Sequence, residues 1–550
     1  MRRRATRTAA GLLLLVVAGC SGDEEPVPAP GATPRAADPA PAAPPPHYNF
    51  IDITDASGLG AFEQVNGHPD KHHILESVGG GVALFDYDGD GDLDVYLTNG
   101  SSLEGFEPGA EPSDALFRND GTGRFEDVTE EAGLGDRAWT MGVTVADVEG
   151  DGDPDLYLTN WGPDVLLLND GAGRFRDATD EAGLGDDGWG ACARFFDFDG
   201  DGDLDLYLSK YVVFDAEKMV RERATKSYNG VTVFKGPRGL EAERDRFYIN
   251  EGGLTFRDAS SEVGIDEPAS FGFEVLAFDY DEDGHQDLFV ANDSQSNFLW
   301  HNTGEGRFED AALAEGVAVS LFGTEQSSMG AAVGDVDGDL RVDLYVTHFS
   351  HDYSTLYRGV APHAFLDVTH RMKLSEATQL DISWGCGMCD FDSDGDLEIF
   401  GVNGHIYPQV DAVGAGVRYR EPNDLFERDG RVFRTPPGGA GPGFEIAAAS
   451  RGAAVGDIDG DGDLDLLVGN IDGPPTLLRN DGEQGHWAKL LPVQPGSPNR
   501  GAIGARLTVR VAEHTSIRLV GSGGSFLSHS DDRIHVGLGD AERVDSVEVR

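Results

Sequence analysis

From about residue 50 to residue 480 the chain alternates between short apolar runs and dense acidic stretches. The runs have a period of two. Counting back from the first Asp of each acidic stretch, positions −2 and −4 are Leu84/Val82, Val145/Val143, Phe195/Ala193, Ala277/Val275, Val333/Ala331, Met388/Cys386 and Val455/Ala453. That spacing puts each pair on one face of a β-strand. Position −5 is glycine at Gly81, Gly142, Gly330, Gly385 and Gly452. A missing side chain there allows close backbone approach near a crowded centre. Each acidic stretch is followed by a second β-rich run, as in Asp94-Val-Tyr-Leu-Thr-Asn99. A third run follows (Leu116-Phe-Arg-Asn119), then a turn, then a fourth (Phe125-Glu-Asp-Val-Thr129). The third recurs from Leu166, Phe247, Leu299, Leu356, Leu425 and Leu477, and the fourth from Phe175, Phe256, Phe308, Phe365 and Phe433.

Seven units of four strands, A to D, with the acidic stretch as the A–B loop, predict an all-β, seven-bladed β-propeller over residues 47–483. The seventh unit has no fourth run after Asn480. Its equivalent stands at the other end, where Phe50-Ile-Asp-Ile-Thr54 matches Phe125-Glu-Asp-Val-Thr129. The N-terminal strand is therefore expected to complete the last blade and leave no open edge.

The acidic stretches share the spacing D-x-D-x-D-G-x-x-D. Candidate metal ligands are Asp86, Asp88, Asp90 and Asp94 in the first loop, and Asp147, Glu149, Asp151 and Asp155 in the second. Asp197, Asp199, Asp201 and Asp205 form the third set, and Asp279, Asp281, Asp283 and Asp287 the fourth. Then come Asp335, Asp337, Asp339 and Asp343; Asp390, Asp392, Asp394 and Glu398; and Asp457, Asp459, Asp461 and Asp465. Several hard, charged oxygens in a flexible loop suit Ca²⁺ better than Zn²⁺ or Mg²⁺. Position 7 holds Asp, His or Arg, so its backbone carbonyl is the expected ligand there. The fifth loop has Leu340 where the others turn on glycine, and it is expected to be the weakest or most distorted.

Charge follows from these loops. The formal net charge is −56, with 98 Asp and Glu against 42 Lys and Arg. Bound Ca²⁺ would cancel part of it, and nucleic acid is excluded as a partner by repulsion from phosphate. Residues 1–20 read as a targeting segment. Arg2, Arg3, Arg4 and Arg7 precede an apolar core too short to span a bilayer. Its end, Val17-Ala18-Gly19-Cys20, resembles the bacterial lipobox, which implies lipidation of Cys20. Ser21 at the next position favours the outer membrane by resemblance to the sorting rule. Residues 21–46, rich in Pro and Ala, read as an extended tether. Cys192, Cys386 and Cys389 make no disulfide framework, and core packing is the expected role of Cys386-Gly-Met-Cys389.

The repeat resembles the FG-GAP and VCBS repeats of integrin-α-like propellers. Ala291-Asn-Asp-Ser294 and Asn403-Gly-His-Ile-Tyr-Pro408 resemble, more narrowly, the cartilage acidic protein family and its bacterial relatives. Beyond residue 484, Asn499-Arg-Gly-Ala-Ile-Gly-Ala-Arg506 and Gly521-Ser-Gly-Gly-Ser-Phe-Leu-Ser-His529 resemble the ASPIC/UnbV domain. In that family the strand read at Val547-Glu-Val-Arg550 continues, so a truncated end is expected. The Arg, His and Ser residues of this module read as surface and turn chemistry.

The A–B loops are uniform in length, whereas the B–C and D–A connections vary. In a four-stranded blade the two sets emerge on opposite faces, so one face is a calcium face and the other carries every long insertion. The largest insertion, residues 210–246, has nine Lys and Arg against six Asp and Glu. It reads either as a binder of acidic glycan, protein or lipid headgroups, or as a loop packed over its own acidic propeller. His68, His72 and His73 fit no strong metal motif and read as solvated loop histidines. No nucleophile elbow, phosphate loop, dinucleotide fingerprint or zinc helix is present. The expected function is a calcium-stabilised, lipid-anchored, non-enzymatic scaffold for adhesion to a protein or polysaccharide ligand. The alternative is an enzyme or biosynthetic accessory protein with a pocket at the propeller axis.

Overall fold

A computed structural model describes residues 47–135, 138–414 and 416–550. Cys20 and the tether lie outside the described residues. Seven four-stranded antiparallel sheets make up the propeller. The innermost strand of each is Val82–Phe85, Trp139–Ala146, Gly190–Phe196, Gly272–Phe278, Ser328–Gly334, Ser383–Cys389 and Ser450–Gly456. Each packs against the next, and the last against the first, so the ring closes. The residue before each acidic loop pairs with the loop's ninth residue in all seven sheets, from Phe85↔Asp94 to Gly456↔Asp465. One loop length thus holds one register throughout.

The outermost strand of the seventh sheet is Phe50–Asp52, paired antiparallel to Thr476–Asn480 through Phe50↔Asn480 and Asp52↔Leu478. Phe50 is fully buried, with its ring 5.2 Å from Phe391 and 5.0 Å from Phe444. The expected closure is what holds the two chain ends of the ring together.

Residues 486–549 form two small sheets. His486–Leu490 pairs with Ile534–Gly539, and Arg506–Val511 lies between His514–Leu519 and Ser546–Val549. They enclose their own core of Leu507, Val509, Val511, Val520, Val536 and Leu538. Even so, the described residues from 47 onward form one compact unit, because a segment of this module enters the propeller axis. The Val82 amide donates to Ser528 Oγ (3.2 Å) and the His529 amide to Val82 O (3.0 Å). Val143 N donates to Leu527 O (3.1 Å) and Phe195 N to Ser522 Oγ (2.8 Å). Cys386 N reaches Ser525 Oγ (2.8 Å), and Val455 N reaches Ser530 Oγ (3.1 Å). Five of the seven innermost strands thereby gain partners for amides that the central channel would otherwise leave unpaired. The glycines at position −5 make room for it. A Cβ on Gly385 would sit 2.8 Å from Ser525 Oγ, and one on Gly81 or Gly452 would clash with Leu527 O or Ser528 Oγ.

The surface role expected for this module is corrected here. Ser522, Ser525, Ser528 and His529 are buried, and their hydroxyls and backbone bond the innermost strands. Phe526 completes the plug, 5.3 Å from Phe273 and 5.0 Å from Trp384.

Candidate metal centres

All seven A–B loops are built alike. The position-1 carboxylate accepts the position-6 amide at 2.9–3.1 Å in every copy: Gly91, Gly152, Gly202, Gly284, Leu340, Gly395 and Gly462. The position-5 carboxylate accepts the position-7 amide at 2.8–3.0 Å, again in every copy. These bonds curl the backbone so that acidic side chains converge. Ligand-type oxygens of Asp86, Asp88 and Asp94 lie within 4.8 Å of one another, as do those of Asp197, Asp199 and Asp205 and those of Asp279, Asp281 and Asp283.

Position 9 is the buried anchor. Its carboxylate accepts the position-2 amide in all seven loops, at 2.8–3.2 Å. In six loops it also accepts an amide from the end of strand C: Asn119, Asn169, Asn250, Asn302, Gly359 or Asn480. The asparagine side chains go further. Asn119 Nδ2 donates to Ile458 O, Asn169 Nδ2 to Tyr87 O, Asn302 Nδ2 to Phe198 O and Asn480 Nδ2 to Phe391 O. Each ties its own blade to the loop of the blade before it. The recurrence of Asn at the end of strand C was visible in the sequence, but its bridging role needs the neighbouring blade.

Burial without a counter-charge pushes the Asp94, Asp155, Asp205 and Asp343 carboxyls up to about 8 and Asp287 to about 9, against the pull of the two amides each accepts. Burial likewise holds Glu398 and Asp465 well above the carboxylate range. Within the loops, Asp88 Oδ1, Asp337 Oδ1, Asp390 Oδ1 and Asp459 Oδ1 are buried with no hydrogen-bond partner. Oxygens of this kind would serve as ligands to a bound cation. Hard oxygens alone, in a loop of this shape, fit Ca²⁺.

The loops differ in how much cation the chain itself supplies. In the fifth, the Arg358 guanidinium sits on Asp337 and lies 3.0 Å from Asp339. In the seventh, Lys489 Nζ lies 2.5 Å from Asp457. The distortion expected at Leu340 is absent. Leu340 takes a φ of +68° and still donates to Asp335 Oδ2 at 2.9 Å. What sets that loop apart is the arginine.

The C-terminal module lies across this face. Arg533 donates to Gly91 O, Arg500 to Asp151 O and Arg506 to Leu340 O, while the Asn499 amide donates to Gly202 O. On the opposite face the 210–246 insertion folds down as the hairpin Thr225–Tyr228 and Val231–Phe234. Tyr211, Val212, Val233 and Phe234 are buried, and the Tyr211 ring stacks 4.2 Å from Phe273. Lys210 pairs with Asp186 and Glu243. The end of the hairpin and the start of the insertion therefore pack over the propeller, while the stretch from 220 to 227 is exposed. The helix Ala216–Glu222 has no buried residue and holds Lys218 and Arg221 in solvent. The histidines are also corrected. His73 is buried against Phe214, His68 and His72 stack at 4.1 Å, and the Glu76 carboxylate accepts all three of their amides. Cys192 and Cys386 are buried, Cys389 is half-buried, and all three are free thiols.

A closed ring of seven four-stranded sheets with an acidic turn in each, plugged by a small β-module, defines a repeat propeller with a fused C-terminal domain. The repeats match the FG-GAP-like repeat at residues 86–158, 147–208 and 279–346, and residues 495–550 match ASPIC and UnbV. The chain thus carries FG-GAP-like repeats and an ASPIC and UnbV domain, and it is homologous to cartilage acidic protein 1. It is 28% identical to the Homo sapiens protein over 331 residues, 57% of this chain and 46% of the relative. The Mus musculus protein is 28% identical over the same length, 57% of this chain and 47% of the relative. The chain spans about half the length of the curated relatives it matches. Among solved structures it resembles an Agrocybe aegerita lectin that recognises non-reducing terminal N-acetylglucosamine, with a TM-score of 0.38, 14% identity, and 67% of this chain and 87% of that one covered. A Bacillus licheniformis rhamnogalacturonan lyase gives a TM-score of 0.36, 13% identity, and 78% and 75% coverage.

Proposed function

We propose that this protein is a calcium-stabilised, lipid-anchored extracytoplasmic scaffold that binds a protein or polysaccharide ligand through its insertion-bearing face. The observation that carries the reading is the unequal use of the two faces. The C-terminal module lies across the face of the acidic loops and enters the axis, whereas the B–C and D–A loops remain outward. Phe526, Phe273 and Tyr211 pack together at the axis, and a cavity of about 270 Å³ remains between the innermost strands and the C-terminal module, lined by Arg194, Met388, Asp390, Arg518 and Ser522. The sequence supplies no catalytic motif to go with it, which favours surface binding. Variable loops on a rigid ring are where recognition resides.

Two features of the open face have binding chemistry. One is the exposed basic turn from Lys218 to Arg223. The other is a cleft at blade five, where the exposed Phe322 ring stands beside Tyr353, Asp352, His370 and Gln379. An apolar ring flanked by a few directed polar groups suits a sugar. In this reading Ca²⁺ holds the acidic loops shut, Cys20 carries the lipid, and residues 21–46 set the distance from the outer membrane. The test is a glycan and protein-ligand array with and without Ca²⁺, repeated with Phe322→Ala and with Lys218→Glu/Arg221→Glu. Loss of a captured ligand in either variant, with the melting curve unchanged, supports the face assignment. Retention in both, with loss in a folded Asp199→Asn variant, transfers the function to the calcium face. Metabolic lipid labelling abolished by Cys20→Ala tests the anchor.

A further inference from the structure

Blade four departs from its sisters at one point. The third residue of the strand-C motif varies, being arginine at Arg118, Arg358 and Arg479 and Leu168, Ile249 or Glu427 in three other blades. Arg358 pairs with Asp337, and Arg479 approaches Asp459. In blade four the residue is His301, whose Nδ1 lies 3.5 Å from Asp281 Oδ2 and 3.2 Å from Asp287 Oδ1. A second imidazole arrives from the next blade. His363, at the C–D turn of blade five, places Nδ1 3.5 Å from the same Asp281 oxygen and 3.8 Å from Glu315 Oε1.

We propose that blades four and five together hold a zinc-class transition-metal site built on His301, His363, Asp281 and Glu315, with Asp287 as a further oxygen donor. The edge lengths carry the argument. Zinc bound at about 2.0–2.1 Å in a tetrahedron sets its ligand atoms about 3.4 Å apart. Three edges of that tetrahedron, His301–Asp281 and His363–Asp281 at 3.5 Å and His363–Glu315 at 3.8 Å, lie close to that value, and the further donor Asp287 stands 3.2 Å from His301. The donor set differs in kind from the seven loops, since imidazole nitrogen selects zinc-like ions over calcium.

A second observation points the same way. Glu315 turns Oε1 toward His363 at 3.8 Å, and its Oε2 is buried with no hydrogen-bond partner. Asp281 faces both ways. Its Oδ1 accepts the Asp283 amide on the loop side at 3.1 Å, while Oδ2 turns to the imidazoles. The Asp281 and Asp287 side chains are buried, whereas His363 is 58% exposed. The ion would enter past His363 and pin blade four to blade five. Asp281, Asp287 and His301 place ligand-type atoms within 4.8 Å of one another. This site stands apart from the ligand-binding reading above, and each can fail without the other.

Cobalt is the probe, because its visible spectrum reports tetrahedral nitrogen and oxygen ligation. Full-length protein with calcium in excess should bind a single equivalent of Co²⁺ with an intense visible band, displaced by Zn²⁺. His301→Gln and His363→Gln should each weaken Co²⁺ binding by more than about tenfold. His68→Gln/His72→Gln should change nothing. His363 sits on an exposed turn, so its variant remains folded even if His301→Gln does not. The proposal is overturned if no tetrahedral band forms, if His363→Gln binds cobalt like the parent, or if the band disappears with His68 and His72. In those cases the two imidazoles are ion-pair partners of Asp281 only.

Discussion

The two faces of the propeller are built by opposite means. On the face of the acidic loops, seven loops of one length repeat the same internal bonds, from the position-6 amide to position 1 and from the position-7 amide to position 5. On the insertion face the connections vary widely in length, and although the short ones bond locally, as Asn160 does to Asp164 and Pro163, the long one is satisfied by residues far away in sequence. Tyr211 bonds Asp293 at 2.7 Å, and Tyr228 packs against His405, Tyr407 and Phe349. The lesson is about cost. A repeated local motif can be duplicated without redesign, because its hydrogen bonds travel with it. An insertion succeeds only where the rest of the ring offers it a place.

The largest effect expected concerns the join that both faces depend on. Removing residues 47–54 should expose the edge of blade seven and lead to aggregation, checked by light scattering. Phe50→Ala alone should cost about 3–5 kcal/mol in urea unfolding, the usual range for a fully buried Phe. Ring closure is refuted if the deletion stays monomeric and equally stable.

Chelation sharpens the contrast between the faces. Ten-fold excess Ca²⁺ over the dissociation constant should add roughly 1.4 kcal/mol per site. Asp199→Asn should remove one site's share of that gain. Asp337→Asn should remove little, because Arg358 already sits on that carboxylate. Equal losses in calorimetry would show that the arginine does not stand in for the ion.

The pH dependence follows from the position-9 acids, and its sign is opposite to the usual carboxylate case. Burial raises Asp94, Asp155, Asp205 and Asp343 to about 8, above the unfolded value near 4. Without Ca²⁺ their contribution is full below about pH 4 and is lost as pH rises toward 8. Chelated protein should therefore lose stability across that window. Added Ca²⁺ should restore it at pH 8 and release protons on binding. A flat chelated profile between pH 4 and 8 would mean the loops carry no uncompensated charge.

The plug gives a smaller effect. Ser525→Ala should cost about 1 kcal/mol, the ordinary worth of one hydrogen bond. Gly385→Val should cost about 1–3 kcal/mol by forcing the segment away from the axis, and it should make the C-terminal module more sensitive to protease. The smallest effect belongs to the exposed helix on the other face. Lys218→Glu/Arg221→Glu should move stability by no more than about 0.5 kcal/mol, so any change in ligand capture there reads directly on recognition.

What the sequence determined by itself was everything carried by period and spacing. The alternation before each first Asp placed strand A, the nine-residue stretch placed the loop, and Phe50-Ile-Asp-Ile-Thr54 closed the ring. These features are local, or they repeat a local pattern, so their physics is complete within about fifteen residues. Tertiary structure alone decided the rest. Gly81, Gly385 and Gly452 marked a crowded axis, but nothing near them named the segment from 521 to 531 as the occupant. Ser525 and Ser528 read as turn residues because their partners, the amides of Cys386 and Val82, lie far off in the chain, in two blades of the propeller. Arg358 and His301 stand at the same step of the repeat. Whether that step neutralises a loop or gathers a second histidine depends on His363, which only the stacking of two blades brings within reach. Hydrogen bonds and charges act over a few ångströms of space, and a sequence records those distances only where chain and space run together.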